Sequence, residues 1–374
     1  MKALYRPTWA NINLEAIGYN INQIRKRIPA KTGIMAVVKA DGYGHGAVEV
    51  GRKALASGAE WLAVALLEEA LSLRKAGINA PILVFGWVSP EDVHIAAQEQ
   101  VTLTFFQKEW LEAVNKQELD KPLQVHMKWD TGMGRVGIRS ADELDAIVEV
   151  LRQSPKVSLT GIYTHFATAD EADLTLFNEQ QERFQTLKSM FEFMWPDRVN
   201  YHTGNSAAAS RFPDHMYDYI RFGIAMYGLY PSAVTKKEHP IDLKPALSLH
   251  SRLTHVKEVY KGATISYGAT YHANSTEWVG TIPIGYADGW IRKLQGVEVL
   301  VEGKRMPVVG RICMDRTMIK LDQSYPIGTR VTLIGCQGED EVTADDIAEK
   351  LDTINYEVAC MISERVPRLY GVDF

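Results

Sequence analysis

A lysine closes the first strongly apolar run of the chain, in Val37-Val38-Lys39-Ala40-Asp41-Gly42-Tyr43-Gly44-His45-Gly46. An amine beside low-dielectric walls releases its proton more readily than one in water, and so becomes a nucleophile and a base. A lone lysine at a strand end more often lays its stem on apolar surface and keeps its charge in solvent. Lys39 therefore gains meaning only from what surrounds it. Gly44-His45-Gly46 is too short to be a phosphate fingerprint. Lys128-Trp129-Asp130-Thr131-Gly132-Met133-Gly134-Arg135 offers a second lysine and two glycines that permit a tight loop. Arg135 at its end has the fork that suits a carboxylate, although a solvated arginine on a surface loop fits equally. Thr164-His165-Phe166 supplies an imidazole that can act as base, relay or ordinary hydrogen-bonding partner. No second histidine stands beside it at ligand spacing, so metal binding is not expected. His202-Thr203-Gly204-Asn205-Ser206-Ala207-Ala208 leads small polar residues into a short helix, where free N–H groups and a hydroxyl hold an anion; a plain helix cap explains Asn205-Ser206 as well. Arg221 interrupts the apolar run Ile220-Arg221-Phe222-Gly223-Ile224, and a buried arginine requires hydrogen-bonding partners.

The elements that must position these groups alternate between strand and helix patterns. Strands are expected at Gly33–Ala40, Glu60–Leu67, Pro81–Trp87, Val101–Phe106, Leu123–Asp130, Leu159–Phe166, Val199–Thr203 and Tyr219–Leu229. Helices are expected between them at Ala47–Ser57, Glu68–Ala76, Pro90–Gln98, Lys108–Asn115, Ala141–Gln153, Asp173–Phe193 and Ser206–Phe212. Ser89-Pro90-Glu91 is a helix start and Gly77 a helix stop. Eight βα repeats predict a parallel (β/α)8 barrel; one misread strand would leave a doubly wound sheet. In such a barrel reactive groups sit at the C-terminal strand ends, and phosphate sites follow strands seven and eight. Lys39, Lys128, Arg135, His165, Asn205, Ser206 and Arg221 all fall at such ends.

Ahead of the barrel, Trp9–Arg27 is a mixed segment in which Ile17, Ile21 and Ile24 have helical spacing after Asn13 as a cap. Composition shifts at Pro231–Pro245, where three prolines and the polar run Thr235 to Glu238 read as a linker. Beyond it, Leu247–Tyr260, Trp278–Ile284, Val297–Glu302, Met306–Asp322 and Arg330–Ile334 are strand-prone and separated by glycines, with one helix at Ala344–Leu351 capped by Thr343. The expected class is α/β: a barrel over 1–240 with a linker about 231–246, then a mainly β C-terminal domain over 241–374.

The 374 residues carry 46% hydrophobic and 23% charged residues, which suits a folded globular chain. A net charge of −5 provides no basic footprint for nucleic acid. Cys313, Cys336 and Cys360 cannot all pair and form no C-x-x-C, which argues against a disulfide framework or structural zinc and fits a reducing cytoplasm. Met1 to Trp9 lacks the apolar core of a signal peptide, and the longest apolar run, Trp61 to Leu67, is far short of the ~18 residues of a membrane span.

Together these residues predict a barrel mouth holding an amine, a phosphate cradle, two arginines and a histidine. A lysine facing a phosphate site is what a pyridoxal-phosphate enzyme needs, since the amine holds the aldehyde and the cradle anchors the phosphate. A Schiff-base aldolase needs the same two parts, and these residues alone do not separate them.

The order of blocks does. The chain resembles the pyridoxal-phosphate-dependent, barrel-type alanine racemase family along essentially its whole length. The resemblance rests on Val37 to Gly46, Asp130 to Arg135, Arg221-Phe222-Gly223-Ile224-Ala225-Met226-Tyr227-Gly228, Ser266-Tyr267-Gly268, Gly285-Tyr286-Ala287-Asp288-Gly289, Gly310-Arg311-Ile312-Cys313-Met314-Asp315 and the tail Arg365-Val366-Pro367-Arg368. It implies a cytoplasmic homodimer in which the β domain of one subunit completes the barrel site of the other, with alanine as substrate and D-alanine supplied for cell-wall precursors. It implies that Lys39 carries the cofactor and is one base, and that Tyr267 of the partner subunit is the other. It places Tyr43, Asn205, Ser206, Gly223, Ile224 and Tyr356 around the cofactor phosphate, Arg221 at the pyridine nitrogen, and His165 on the cofactor side. It gives Arg135 and the Met314 backbone to the substrate carboxylate, and Tyr286, Arg292 and Asp315 to the access channel. Lys128 would be carboxylated on its side-chain nitrogen. Trp129 and Arg316 depart from the family pattern, Trp129 standing where a smaller apolar residue is expected behind Lys128.

A serine or broad-specificity racemase of the same fold is the nearest alternative. A pyridoxal-phosphate amino-acid decarboxylase is further off, since the blocks from Lys128 to Arg135 and Gly310 to Asp315 do not resemble it. A non-catalytic cofactor-binding barrel would lack everything beyond Pro245.

Overall fold

The protein is described here from a computed structural model covering residues 5–371; Met1 to Leu4 of the N-terminal stretch read above lie outside the described residues. The chain forms two compact units. One comprises Glu15–Gly42 and Ala47–Lys244; the other comprises Tyr43–Gly46 and the chain from Pro245, together with the N-terminal strand Thr8–Ile12.

The first unit is an eight-stranded parallel sheet. Its strands are Gly33–Val37, Trp61–Val64, Ile82–Val84, Thr102–Phe105, Leu123–Lys128, Val157–Tyr163, Asn200–His202 and Tyr219–Phe222. The first strand pairs with the last, Ala36 opposite Phe222. The remaining seam closes through two bonds, Asp218 N–H to Tyr201 O (2.9 Å) and Arg221 N–H to Gly204 O (2.8 Å). All eight expected strands are present and shorter than their apolar runs, which extend into the adjoining turns. The last expected strand ends at Phe222 rather than Leu229; the chain turns at Gly223 and Ile224–Tyr227 winds into a 3-10 turn. The helices between strands follow the expected segments, from Ala47–Ala56 to Ser206–Arg211. The helix Thr175–Met194 carries the deeply buried Phe184 and Phe191.

The mixed N-terminal segment resolves into the strand Thr8–Ile12 and the helix Leu14–Arg27, with Ile17, Ile21 and Ile24 fully buried. The expected linker contains a short helix, Ala233–Glu238, because Ser232 Oγ accepts the Thr235 N–H at 3.2 Å and caps it.

The second unit is mainly β. A seven-stranded mixed sheet places Thr8–Ile12 between Leu247–Arg252, antiparallel, and Arg368–Tyr370, parallel. A three-stranded sheet joins His255–Val259, Glu277–Ile282 and Thr317–Leu321. The run Met306–Asp322 is thus two strands, Lys304–Pro307 and Thr317–Leu321, around the loop that carries Gly310 to Arg316. Its core gathers Trp290, Leu294, Val299, Val331 and Ile347; each fully buried aliphatic contributes roughly 1.5–3 kcal/mol. Thr343 caps Ala344–Leu351 as expected, its Oγ1 accepting the Asp346 N–H at 3.0 Å, and a further helix follows at Asn355–Met361. No helix among the described residues is long and apolar enough to cross a membrane.

Candidate active site

Lys39 leaves the first barrel strand into an unusual turn. Ala40, Asp41 and Gly42 lie in the left-handed helical region, at φ 52°, 51° and 62°. For L-residues that conformation costs roughly 1–2 kcal/mol each, so neighbours must hold it. Glu69 accepts the Ala40 N–H at 2.6 Å with one oxygen, and the Ala65 and Leu66 N–H groups at 2.8 and 3.1 Å with the other. Asp41 Oδ1 accepts the Ala47 N–H at 2.9 Å. The turn fixes where the half-buried Lys39 begins its reach. Glu69 drew no notice in the sequence, since an acid in a first helical turn is commonplace.

Arg221 is buried, and every partner it has is neutral. Nη1 donates to His202 Nδ1 (3.0 Å) and His202 O (2.7 Å). Nη2 donates to Thr164 O (2.7 Å), Thr203 O (3.0 Å) and His165 Nδ1 (3.3 Å). Its Nε makes no hydrogen bond to another of the described residues. Tyr163 stacks on His202 with ring centroids 4.7 Å apart, and the guanidinium carbon lies 5.2 Å from the tyrosine ring centre. Burial lowers the arginine to about 10 and raises the Tyr163 phenol to about 12. Burial, then the charges of Arg221 and Arg135, hold His165 well below the usual imidazole range, so it is neutral. The partners expected for a strand-interrupting arginine are therefore carbonyls and imidazoles, with no carboxylate among them.

Lys128 is 4% exposed at the end of the fifth strand, its Nζ 5.9 Å from the Tyr163 ring centre. Burial lowers it to about 8, and Arg135, Arg221 and Lys39 add to the shift while Asp130 opposes it. Lys39, Arg135 and Arg221 thus all lie close enough to Lys128 to act on its charge. Asp130 Oδ1 is occupied by the Gly132 and Gly134 N–H groups at 3.1 and 3.0 Å, which shapes the loop that carries the exposed Arg135. Trp129 turns outward, its ring 5.2 Å from that of Phe184 and 6.2 Å from that of Phe191. It packs under the outer helix Thr175–Met194.

Asn205 caps its own helix, Oδ1 accepting the Ala208 N–H at 3.0 Å. Ser206 Oγ accepts the Gly223 N–H at 3.0 Å and the Ala225 N–H at 3.4 Å, tying the seventh strand's helix to the turn after the eighth. The N–H groups of Ser206, Ala207 and Ile224 have no partner among the described residues. Three such donors and a hydroxyl suit an oxyanion such as phosphate. Because Ala36 pairs with Phe222, Lys39 and Gly223-Ile224 leave the sheet on adjacent strands. Among the described residues no group of three His, Cys, Asp or Glu is placed to hold a metal ion.

In the second unit Tyr267 is 70% exposed on the turn Tyr267–Ala269. Ser266 before it has φ 67° and ψ −175°, and its Oγ donates to Arg311 O at 2.5 Å. Tyr286 N–H donates to Cys313 O at 3.0 Å, so its turn meets the Cys313-Met314-Asp315 loop. Gly285 permits this contact: a Cβ there would stand 2.2 Å from Cys313 O and 2.4 Å from Met314 O. Asp315 pairs with Arg365 at 2.6 Å. The unit thus gathers Ser266, Tyr267, Met314, Tyr286 and Asp315 around neighbouring loops. Arg292 lies on a separate exposed turn, Arg292–Leu294, and bonds to neither Tyr286 nor Asp315. Tyr43 and Tyr356 have ring centroids 6.3 Å apart, with Tyr43 buried.

Comparison with known proteins gives a consistent picture. The family model described as alanine racemase, N-terminal domain, matches residues 12–231, and that described as alanine racemase, C-terminal domain, matches 246–370. The alanine racemase of Geobacillus stearothermophilus is 51% identical over 371 residues, spanning 99% of this chain and 95% of its own. The crystal structure of alanine racemase from Bacillus anthracis with bound L-Ala-P is similar at a TM-score of 0.97 and 47% identity, covering 99% of this chain and 96% of that one. A histidine racemase from Leuconostoc mesenteroides is similar at 0.92 and 30% identity, covering 99% of each chain.

Proposed function

The chain belongs to the alanine racemase family, and on that premise we propose that it interconverts L-alanine and D-alanine by a two-base reaction, with pyridoxal 5'-phosphate in the barrel of a cytoplasmic homodimer that supplies D-alanine for cell-wall precursors. The residues present fit that cofactor. Unpaired N–H groups and the Ser206 hydroxyl suit its phosphate, Arg221 Nε is left to face its ring nitrogen, and Lys39 begins beside them. When bound, the cofactor withdraws electrons from the substrate's α-carbon and acidifies its proton.

The chain's own residues supply the rest. Asn205, Ser206, Gly223 and Ile224 hold the phosphate. Arg221, a cation with neutral partners only, opposes protonation of the ring nitrogen and keeps electron withdrawal moderate, which limits side reactions. His165 stays neutral next to it. Arg135 and the Met314 N–H orient the substrate carboxylate. Lys39 Nζ takes or returns the α-proton on one face, and Tyr267 of the partner subunit does so on the other. An exposed phenol on a strained turn is what a residue serving another subunit requires. Tyr286, Arg292 and Asp315 line the access channel. Lys128, lowered to about 8, has the free amine needed to add carbon dioxide and release a proton, giving a carbamate that would neutralise the repulsion from Arg135.

The observation that carries the reading is Arg221 bound to three carbonyls and two neutral imidazoles at a barrel mouth that also holds Lys39 and an oxyanion cradle. The test is L-alanine in deuterium oxide with the cofactor-loaded protein. Optical activity should fall to that of the racemate with deuterium at the α-carbon of both enantiomers, and Lys39→Ala or Tyr267→Phe should stop it. Optically pure alanine left unchanged would refute the assignment. The similarity to a histidine racemase favours one second reading, a broader substrate range. Rates on L-serine and L-histidine equal to those on L-alanine would support it.

A further inference from the structure

His126 is a buried histidine on the inner strand Leu123–Lys128 to which neither the sequence nor the reaction above assigns a part. Its Nδ1 lies 2.9 Å from His202 Nε2, and His202 Nδ1 lies 3.0 Å from Arg221 Nη1. The proton positions along this line are dictated by the arginine. A guanidinium has donors only, so His202 Nδ1 accepts. A neutral His202 then carries its proton on Nε2 and donates it to His126 Nδ1. His126 in turn carries its proton on Nε2, and that atom is buried without a partner. Both imidazoles are held neutral, by burial first and then by their charged or imidazole neighbours.

The fold has made room for this. The ladder between the fifth and sixth strands shifts by one residue at Val125/His126, which sets Gly161 opposite His126. A Cβ at Gly161 would stand 2.6 Å from His126 Nε2 and Cε1. A bulge and a missing side chain together admit an imidazole where a strand interior would otherwise place packing.

We propose that His126 is a positioning residue for Arg221: by accepting from His202 Nε2–H it locks the His202 tautomer that receives the arginine, and so holds the guanidinium in register for the cofactor ring. This rests on the reading of Arg221 given above. Without the acceptor, the His202 N–H is a buried orphan, and the alternative tautomer would aim a second donor at Arg221.

Two substitutions separate an acceptor from mere bulk. His126→Phe keeps a flat ring and removes the acceptor; His126→Asn shrinks the side chain and keeps an acceptor near Nδ1. In the holoenzyme, Phe should weaken retention of pyridoxal phosphate about tenfold and lower kcat/KM by a similar factor. Asn should recover most of both. The nitrogen-15 shifts of the imidazoles should report His202 as neutral with its proton on Nε2 at pH 7 in the parent and in Asn, and mixed in Phe. Parent-like behaviour of Phe, or loss in Asn equal to that in Phe, overturns the proposal. So does a parent His202 that is doubly protonated or carries its proton on Nδ1, a reading that stands even if Phe fails to fold. A parent that racemises normally while Phe does too defeats only this inference; a parent that binds no pyridoxal phosphate defeats the preceding reading, and the tautomer still decides this one.

Discussion

Glu69 holds the amide of Ala40 at 2.6 Å, and with it the left-handed turn that directs Lys39. One carboxylate satisfies three N–H groups, because its second oxygen takes those of Ala65 and Leu66. Glu69→Gln replaces one of those oxygens by a donor that must face an N–H. Charge-assisted bonds of this kind contribute about 1.5–3 kcal/mol. The expected result is a thermal midpoint lower by several degrees and a kcat/KM lower by about an order of magnitude, with Glu69→Ala worse in both. Circular dichroism melts and initial rates check it. Unaltered rates in the alanine variant would mean that the turn holds itself.

Ser266 sits in a backbone region that is nearly reserved for glycine, just before Tyr267. The strain is of order 1–3 kcal/mol, and the bond from its Oγ to Arg311 O offsets part of it. Ser266→Ala keeps the strain and loses the bond; Ser266→Gly loses both. Gly should therefore be the more stable of the two by about 1–2 kcal/mol in urea unfolding, while both slow racemisation because the phenol is less firmly aimed. Equal stabilities would show that the serine backbone carries no strain.

Lys128 makes a pH-dependent stability contribution whose direction is set by its depressed value of about 8 against 10.5 when unfolded. Below pH 8 both states are protonated and the folded one bears the cost of the shift, chiefly burial, of about 3–4 kcal/mol. Between pH 8 and 10.5 the unfolded state binds more protons, so stability rises with pH. Lys128→Met should accordingly stabilise the carbon-dioxide-free apoprotein at pH 7 and flatten that alkaline rise. Added bicarbonate should stabilise the parent and leave Lys128→Met unmoved. Thermal melts with and without bicarbonate check both, and a less stable methionine variant would contradict the burial cost.

Much of this architecture was legible because apolar runs and their polar ends follow from burial. All eight barrel strands were readable that way, and so were Lys39, Arg135, Ser206 and Arg221 at their ends. What escaped has physical reasons. The helix Asn355–Met361 is two turns long with only Asn355, Val358 and Ala359 buried, too little for a periodic signal. Ala233–Glu238 hid in a polar, proline-flanked stretch because its stability comes from the Ser232 cap. His126 escaped although a usable signal was present: like Arg221 it is a polar residue inside an apolar inner strand, and the demand for a partner that singled out the arginine applies to it equally. Glu69 and Gly285 act through backbone contacts between segments distant in sequence, which no spacing records.

Gly285 has ordinary extended backbone, φ −152° and ψ −164°, so only proximity requires a glycine there. A Cβ would collide with the carbonyl oxygens of Cys313 and Met314, which are backbone and cannot rotate away. Gly285→Ala must therefore push the Tyr286 turn and the Met314 loop apart. If Met314 orients the substrate carboxylate, KM for alanine should rise about tenfold with a smaller change in kcat, and the elution volume on gel filtration should match that of the parent.

The buried imidazoles also set an acid limit. His126 is lowered to about 3 and His250, in the β unit, to about 4, in both cases chiefly by burial, against 6.5 for an exposed histidine. As pH falls below 6.5 the unfolded chain takes up protons that the folded one refuses, so stability is full above that value and is lost on the way down. Each such group removes about 1.4 kcal/mol per pH unit until its folded value is reached. Urea midpoints at pH 7, 5.5 and 4.5 should fall progressively, and His126→Asn, which has nothing to protonate, should fall less steeply than the parent. Parallel slopes for the two proteins would mean that His126 is charged in the folded state, and its neutrality, on which the line of donors from Arg221 depends, would be lost with it.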